Sequence, residues 1–171
     1  MSEASRYREY FDTIIAIIRK HKKPTTLLDA GCGIGVFLQA VKDVGWKAIG
    51  VDRSKSAVMY ARSHGLDVRL GKIEELPLKK ESFDVITLFQ TIEHIEDPIK
   101  TLKKIYTLLR KGGTLVMTTP NEQSVMATLL GKSWFGYRNT EHLYFFNKQS
   151  LMTMQKRVGF KRIRIASENG R

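Results

Sequence analysis

The sequence contains one cysteine, Cys32. A single thiol makes no internal disulfide, so a reducing, cytoplasmic setting is expected. No stretch approaches the roughly 18 consecutive apolar residues of a membrane span. The opening residues, Met1-Ser2-Glu3-Ala4-Ser5-Arg6, lack a basic segment running into a long apolar one, so no secretory signal is read. Internal repeats and low-complexity segments are also missing. Acidic residues become scarce toward the end of the chain. Up to Ile99 there are 15 Lys/Arg against 14 Asp/Glu, whereas from Lys100 onward there are 14 against 3. A basic surface concentrates anionic partners. An acidic small molecule, RNA, an anionic membrane surface and a merely solvated basic face all fit this excess, and no RNA-binding motif with interleaved aromatics is present. The oligomeric state is not encoded in any visible pattern.

What is present fits one domain of 171 residues. Tyr7, Tyr10, Phe11, Ile14, Ile15, Ile17 and Ile18 follow helical spacing between Ser5 and His21, and Pro24 stops that helix. Short apolar strands are expected at Thr26–Asp29, Ala48–Asp52, Val68–Leu70, Phe83–Phe89 and Thr114–Thr119. Helices are expected between them. One runs from Val36 until Gly45 ends it, one from Ala57 to His64 behind a Ser54 cap, and one from Pro98 to Arg110, ended by Gly112-Gly113. A last helix, Ser150–Val158, leads past Gly159 to a strand at Lys161–Ala166. Alternating strands and helices predict an α/β fold, a Rossmann-like, doubly wound and mostly parallel sheet covered on both faces. One segmentation follows: residues 1–23 an N-terminal helix, 24–121 a cofactor-binding core, 122–149 a substrate-side insert, and 150–171 a terminal helix and strand. In such sheets ligands sit beyond the carboxyl ends of the strands. That rule selects Gly31, Asp52, the run Gly71-Lys72-Ile73-Glu74, Gln90-Thr91 and Pro120-Asn121.

Two of these places carry a chemical signature. The first strand is followed by Gly31-Cys32-Gly33-Ile34-Gly35, a loop that opens a helix and offers free backbone N–H groups to a ligand. The second strand ends on Asp52, whose carboxylate can accept both hydroxyls of a ribose. Together they predict a nucleoside-containing cofactor. A dinucleotide fingerprint, Gly-x-Gly-x-x-Gly, would need glycine where Val36 stands. The third glycine falls at Gly35 instead, which counts against a nicotinamide cofactor and the oxidoreductase alternative.

Leu27-Leu28-Asp29-Ala30-Gly31-Cys32-Gly33-Ile34-Gly35 resembles the first motif of class I S-adenosylmethionine-dependent methyltransferases, and Asp52 matches the acidic residue of their second. Phe83 to Pro98 and Leu109 to Asn121 resemble their fourth- and fifth-strand regions. The stretch Glu93-His94-Ile95-Glu96-Asp97-Pro98 is similar to the small-molecule branch that includes ubiquinone-biosynthesis O-methyltransferases. The resemblance covers Leu27 to Asn121, with a weaker echo to Phe160. It implies S-adenosyl-L-methionine as cofactor and methyl transfer to oxygen, nitrogen or carbon of a small acceptor. By resemblance the backbone of Gly31, Gly33 and Gly35 holds the amino-acid end of the cofactor and Asp29 its ammonium. Asp52 with Arg53 lies at the ribose, Ile73 and Glu74 at the adenine, and Gln90 after the fourth strand. Lys72 departs from the pattern. Many relatives place an acidic acceptor there, and an ammonium accepts no hydrogen bond.

The sulfonium already carries a good leaving group, so alignment of the acceptor dominates, and a base helps only where the acceptor loses a proton. His94 and His142 are the candidate catalytic residues, each with a structural hydrogen bond as its alternative role. His21 and His64, near helix ends, read as structural. Glu141 and His142, adjacent in sequence, supply no metal site. Met126, Leu129, Leu130, Trp134, Phe135 and Tyr137 form either an apolar lid or a packing insert. Tyr7, Tyr10 and Phe11 either close the cofactor pocket or pack the core. The family usually adds one more antiparallel strand, for which only Ser167–Arg171 remains. A cofactor-binding module without catalysis, acting on RNA or a protein partner, is the further alternative.

Overall fold

Leu27 and Leu28 are fully buried, and they belong to a strand covered on both sides, β1 (Thr26–Ala30). The computed structural model, which describes residues 3–21 and 26–166, puts β1 in the middle of a five-stranded sheet. β2 (Lys47–Asp52) pairs with one edge of β1 and β4 (Phe83–Phe89) with the other, both parallel. β4 is buried from Phe83 to Leu88, the continuous pattern of a parallel strand with helices on both faces. β3 (Val68–Leu70) lies parallel beyond β2, and β5 (Leu109–Thr118) beyond β4. The order β3-β2-β1-β4-β5 means that the chain winds outward from β1 to β3, then crosses back to β4. The reversal between β1 and β4 is the topological switch point at which this sheet type opens a ligand crevice.

The helices are α1 (Glu3–His21), α2 (Val36–Asp43), α3 (Lys55–Ser63), α4 (Pro98–Leu108), α5 (Val125–Leu130), α6 (Phe135–Arg138) and α7 (Lys148–Val158). None is long and apolar enough to cross a membrane among the described residues. By its contacts the chain falls into two compact units. One is Met1–Leu88 with Thr107–Val116, and the other is Phe89–Tyr106 with Met117–Arg171. In the first, Leu38 of α2, Val58 and Ala61 of α3, Leu66 and Val68 pack around Cys32. Phe11 of α1 packs on Phe37 of α2, ring centroids 5.1 Å apart, so Phe11 belongs to the core. Ser54 caps α3 as expected, its hydroxyl accepting from the Ala57 N–H.

Several expectations are corrected. α4 stops at Leu108, short of Arg110, because the carbonyls of Thr107 and Leu108 accept from the N–H groups of Glu81 and Ser82. The chain is already extended at Leu109, so Gly112-Gly113 falls inside β5 and does not end a helix. Arg110 then reaches Asp84, 3.2 Å away, whose carboxylate also accepts from Thr26. α7 begins at Lys148, behind a reciprocal cap between Asn147 and Ser150, and Gly159 closes it in the left-handed region. Lys161–Ala166 does not form a strand. Ile17 lies outside the apolar stripe of α1 and is exposed. Pro24, Ser167–Arg171 and the side chains of Tyr7 and His21 lie outside the described residues.

The turn into α2 tests how tightly this frame is built. Gly35 has φ +85°, and a β-carbon there would run into Leu66. Gly33 has φ +52° with nothing within 4 Å of an added β-carbon. Gly35→Ala combines backbone strain with overpacking and is expected to cost about 2–4 kcal/mol. Gly33→Ala carries only the left-handed penalty, about 1–2 kcal/mol. Urea unfolding of the two variants checks the difference, and equal midpoints would contradict it.

Candidate functional site

Both expected cofactor anchors lie at carboxyl ends of central strands. Asp29 is the fourth residue of β1 and is 3% exposed. Its Oδ1 accepts from the Thr87 hydroxyl of β4 at 2.7 Å. Burial pushes its carboxyl up to about 7; the bond from Thr87 opposes the rise and the nearby Asp52 charge adds to it. Desolvation of a carboxylate works in this direction whenever no cation is at hand. The backbone then turns through Gly31, Gly33 and Gly35, all at positive φ. The N–H groups of Gly31 and Cys32 both donate to the carbonyl of Val51, tying the start of the loop to β2.

Asp52 ends β2 and spans two elements. Its Oδ2 accepts from the Gly33 N–H at 2.7 Å, and its Oδ1 accepts from the Ser54 N–H at 2.8 Å. One carboxylate thus fixes both the glycine loop and the start of α3. Each of its oxygens keeps a further lone pair for a ligand hydroxyl. The cap of α3 itself is Ser54, and Asp52 holds the backbone N–H of that cap residue. The same unit holds the remaining expected contacts after β3. Gly71 donates its N–H to the Asp52 carbonyl, Ile73 is buried, Glu74 is half-buried, and Arg53 and Lys72 are exposed. Ile34, between the glycines, is 48% exposed and offers the loop an apolar face. Cys32 is buried, and burial, with the charges of Asp29 and Asp52, pushes its thiol above the usual range. It stays protonated and is no nucleophile.

The other expected residues lie in the second unit. Gln90, directly after β4, takes φ +46°, uncommon for a residue other than glycine. Its N–H donates to the carbonyl of Thr118 and its side-chain amide to the Thr118 hydroxyl. One turn of 3-10 helix follows at Ile92–His94. His94 and His142, 48 positions apart in the sequence, meet edge to face with ring centroids 4.8 Å apart. His94 Nδ1 bonds the carbonyl of Glu141 and His142 Nδ1 that of Gly136. Glu93 was missed as a functional candidate. It is 1% exposed, its Oε2 accepts from the Thr119 hydroxyl at 2.9 Å, and its Oε1 has no hydrogen-bond partner. Its backbone carbonyl accepts from Leu143 and Tyr144 next to His142. A glutamate beside a histidine looks like a surface pair in sequence, and only the return of residues 139–144 encloses it.

The segment from Gln123 to Tyr137 divides between its two expected roles. Trp134 is 2% exposed and packs against Tyr137 and Phe135, while Met126, Leu129, Leu130 and Phe135 are exposed. His64 is exposed and stacks on Tyr60 within its own helical turn.

Comparison with known proteins identifies relatives of the whole fold. A family profile described as "Methyltransferase domain" matches residues 2–165. A Mycolicibacterium smegmatis protein named "Probable S-adenosylmethionine-dependent methyltransferase" is 37% identical over 97 residues, 56% of this chain and 38% of its own length. A ubiquinone biosynthesis O-methyltransferase of Xanthomonas campestris pv. campestris is 33% identical over 102 residues, 56% of this chain and 43% of its own. The chain thus spans about two-fifths of the length of these curated relatives. A crystal structure of an S-adenosylmethionine-dependent methyltransferase from Thermotoga maritima superposes with TM-score 0.69 at 26% identity, covering 91% of this chain and 80% of that one.

The buried carboxyl of Asp29 makes stability depend on pH. In the unfolded chain it titrates at about 3.9; in the fold, at about 7. Between those values the unfolded chain is ionised while the folded one keeps its proton. This group therefore withdraws stability as pH rises from about 4 to about 7, and the loss is complete above that. Asp29→Asn keeps an oxygen for Thr87 and has no charge to bury. It should be more stable than the parent at pH 8 by up to about 4 kcal/mol and close to it at pH 4. Denaturant titrations at the two pH values check this, and a variant less stable at pH 8 would contradict it.

Proposed function

We propose that this chain, which belongs to the methyltransferase domain family, binds S-adenosyl-L-methionine and transfers its methyl group to a small-molecule acceptor. The observation that carries this reading is the convergence of Asp29, the Gly31–Gly35 loop and Asp52 at the carboxyl ends of β1 and β2, beside the switch point. The loop backbone, through Gly31, Gly33 and Gly35, takes the amino-acid end of the cofactor. Asp29 takes its ammonium, a cation that returns the buried carboxyl to its charged form. Asp52 takes the ribose hydroxyls, with Arg53 at its side. Ile73, Glu74 and the exposed Ile34 flank the base.

His94 and His142 serve the acceptor, receiving its proton where the methylated atom must lose one. The excess of basic residues from Lys100 onward favours an acceptor that carries negative charge. Action on a hydroxyl oxygen would be in keeping with the ubiquinone biosynthesis O-methyltransferase named above, and the lone Cys32 is in keeping with a cytoplasmic setting.

Calorimetry with S-adenosylhomocysteine tests the cofactor half of this reading. The parent is expected to bind, and Asp52→Ala to weaken binding about 10–100-fold, the loss of a hydrogen-bonded charge. Affinity should also fall as pH drops below about 7, because Asp29 then takes up a proton. Absence of binding at millimolar ligand, or stabilisation by NAD in place of the methyl donor, would reject the reading.

A further inference from the structure

Glu93, His94 and His142 are the titratable cluster that cofactor binding leaves unexplained. One ligand-type atom from each lies within 4.8 Å of the others. The directions of their hydrogen bonds matter more than this proximity. A carbonyl oxygen only accepts, so the Nδ1 atoms of His94 and His142, held by the carbonyls of Glu141 and Gly136, must carry the ring protons. Each imidazole therefore keeps its lone pair on Nε2. Glu93 is likewise held by one oxygen, through Thr119, and its other oxygen is buried without a partner. A buried orphan acceptor is costly unless something is there to fill it.

We propose that these three residues form a binding site for a divalent transition-metal ion, with His94 Nε2, His142 Nε2 and Glu93 Oε1 as ligands; the proton-accepting role given to the two histidines above then belongs to the metal-free protein. Two imidazoles and a carboxylate are a donor set suited to zinc and similar borderline ions, and three protein ligands leave one position open. The hydrogen bonds already present are those that orient metal ligands: ring N–H to backbone carbonyl, and hydroxyl to carboxylate. A tetrahedral ion with bonds of about 2.0–2.1 Å separates its ligands by about 3.4 Å. The three donor atoms, within 4.8 Å of one another, draw together to that spacing on binding, and His142 Nε2 exchanges its present neighbour, the Asn139 amide at 3.1 Å, for the ion. The open position accepts an oxygen of water or of an anionic ligand.

Zinc chloride added to chelator-treated protein tests the site, with the metal alone as probe. One ion per chain is expected, with a rise in melting temperature that follows mass action. Cobalt should give the intense visible absorption of a low-coordinate ion. His94→Asn, His142→Asn and the isosteric Glu93→Gln should each abolish the rise, and Thr119→Val should weaken zinc binding about 10–100-fold. His64→Ala should change nothing. Binding of S-adenosylhomocysteine in the same variants reports whether they remain folded; should the three ligand substitutions abolish it, Thr119→Val, the mildest change, decides, and unchanged zinc affinity in that variant overturns the proposal. No uptake at micromolar zinc, or uptake unchanged by the two histidine substitutions, overturns the proposal.

Discussion

A carboxylate at the centre of the sheet imposes the constraint from which the rest of the candidate site follows. Asp29 stands where β1 ends, next to the strand at which the order reverses, and is shielded from water on every side. A charge there is unfavourable in the empty fold, and the hydroxyl of Thr87 only partly offsets the cost. Charge becomes favourable when a cation arrives. The position is therefore poorly suited to the fold alone and well suited to a ligand with an ammonium group. Strain of this kind, held where the surrounding structure leaves no alternative, is common at binding sites. The glycine loop is its counterpart. It lets the backbone turn sharply away from Asp29 while keeping N–H groups available, and Leu66 fills the space that a side chain at Gly35 would need.

Most of the first unit was legible in the sequence because its signals are local. Apolar runs marked β1, β2 and β4, the first two with glycine beside them, and Ser54 marked the start of α3. The misreadings occur where a distant partner competes with a local preference. Pro98 to Arg110 reads as a continuous helix, but the carbonyls of Thr107 and Leu108 are taken by residues 81 and 82. Gly112-Gly113 looks like a terminator because a glycine pair is usually one, and here it bends a strand. Lys161 to Ala166 alternates like a strand, yet alternation alone does not make one.

The second unit was legible in its parts but not in their arrangement. His94 and His142 each stood out as candidates, but nothing in their spacing showed that they meet. Glu93 was hidden for a different reason. Its importance comes from being buried, and burial here is produced by the loop at residues 139–144 folding over the 3-10 turn, held by the bonds of Leu143 and Tyr144 to the Glu93 carbonyl. In the sequence Glu93 stands in a run with Glu96 and Asp97, with nothing that marks it as buried. The structure separates the three, leaving Glu96 and Asp97 exposed and Glu93 enclosed.

Asp52 carries a consequence for how variation in this chain should be interpreted. The carboxylate that would meet the nucleoside also fastens Gly33 and the first turn of α3. Its two duties cannot be separated by substitution. An amide at this position would present one acceptor where two are in use and turn a donor toward an N–H. Any sequence that alters residue 52 must rebuild the loop as well as the ligand contact. A loss of binding measured there therefore mixes a missing contact with a misplaced backbone. The two contributions are distinguishable only by structure or by the exchange rate of the Gly33 amide hydrogen, which reports the loop without the ligand.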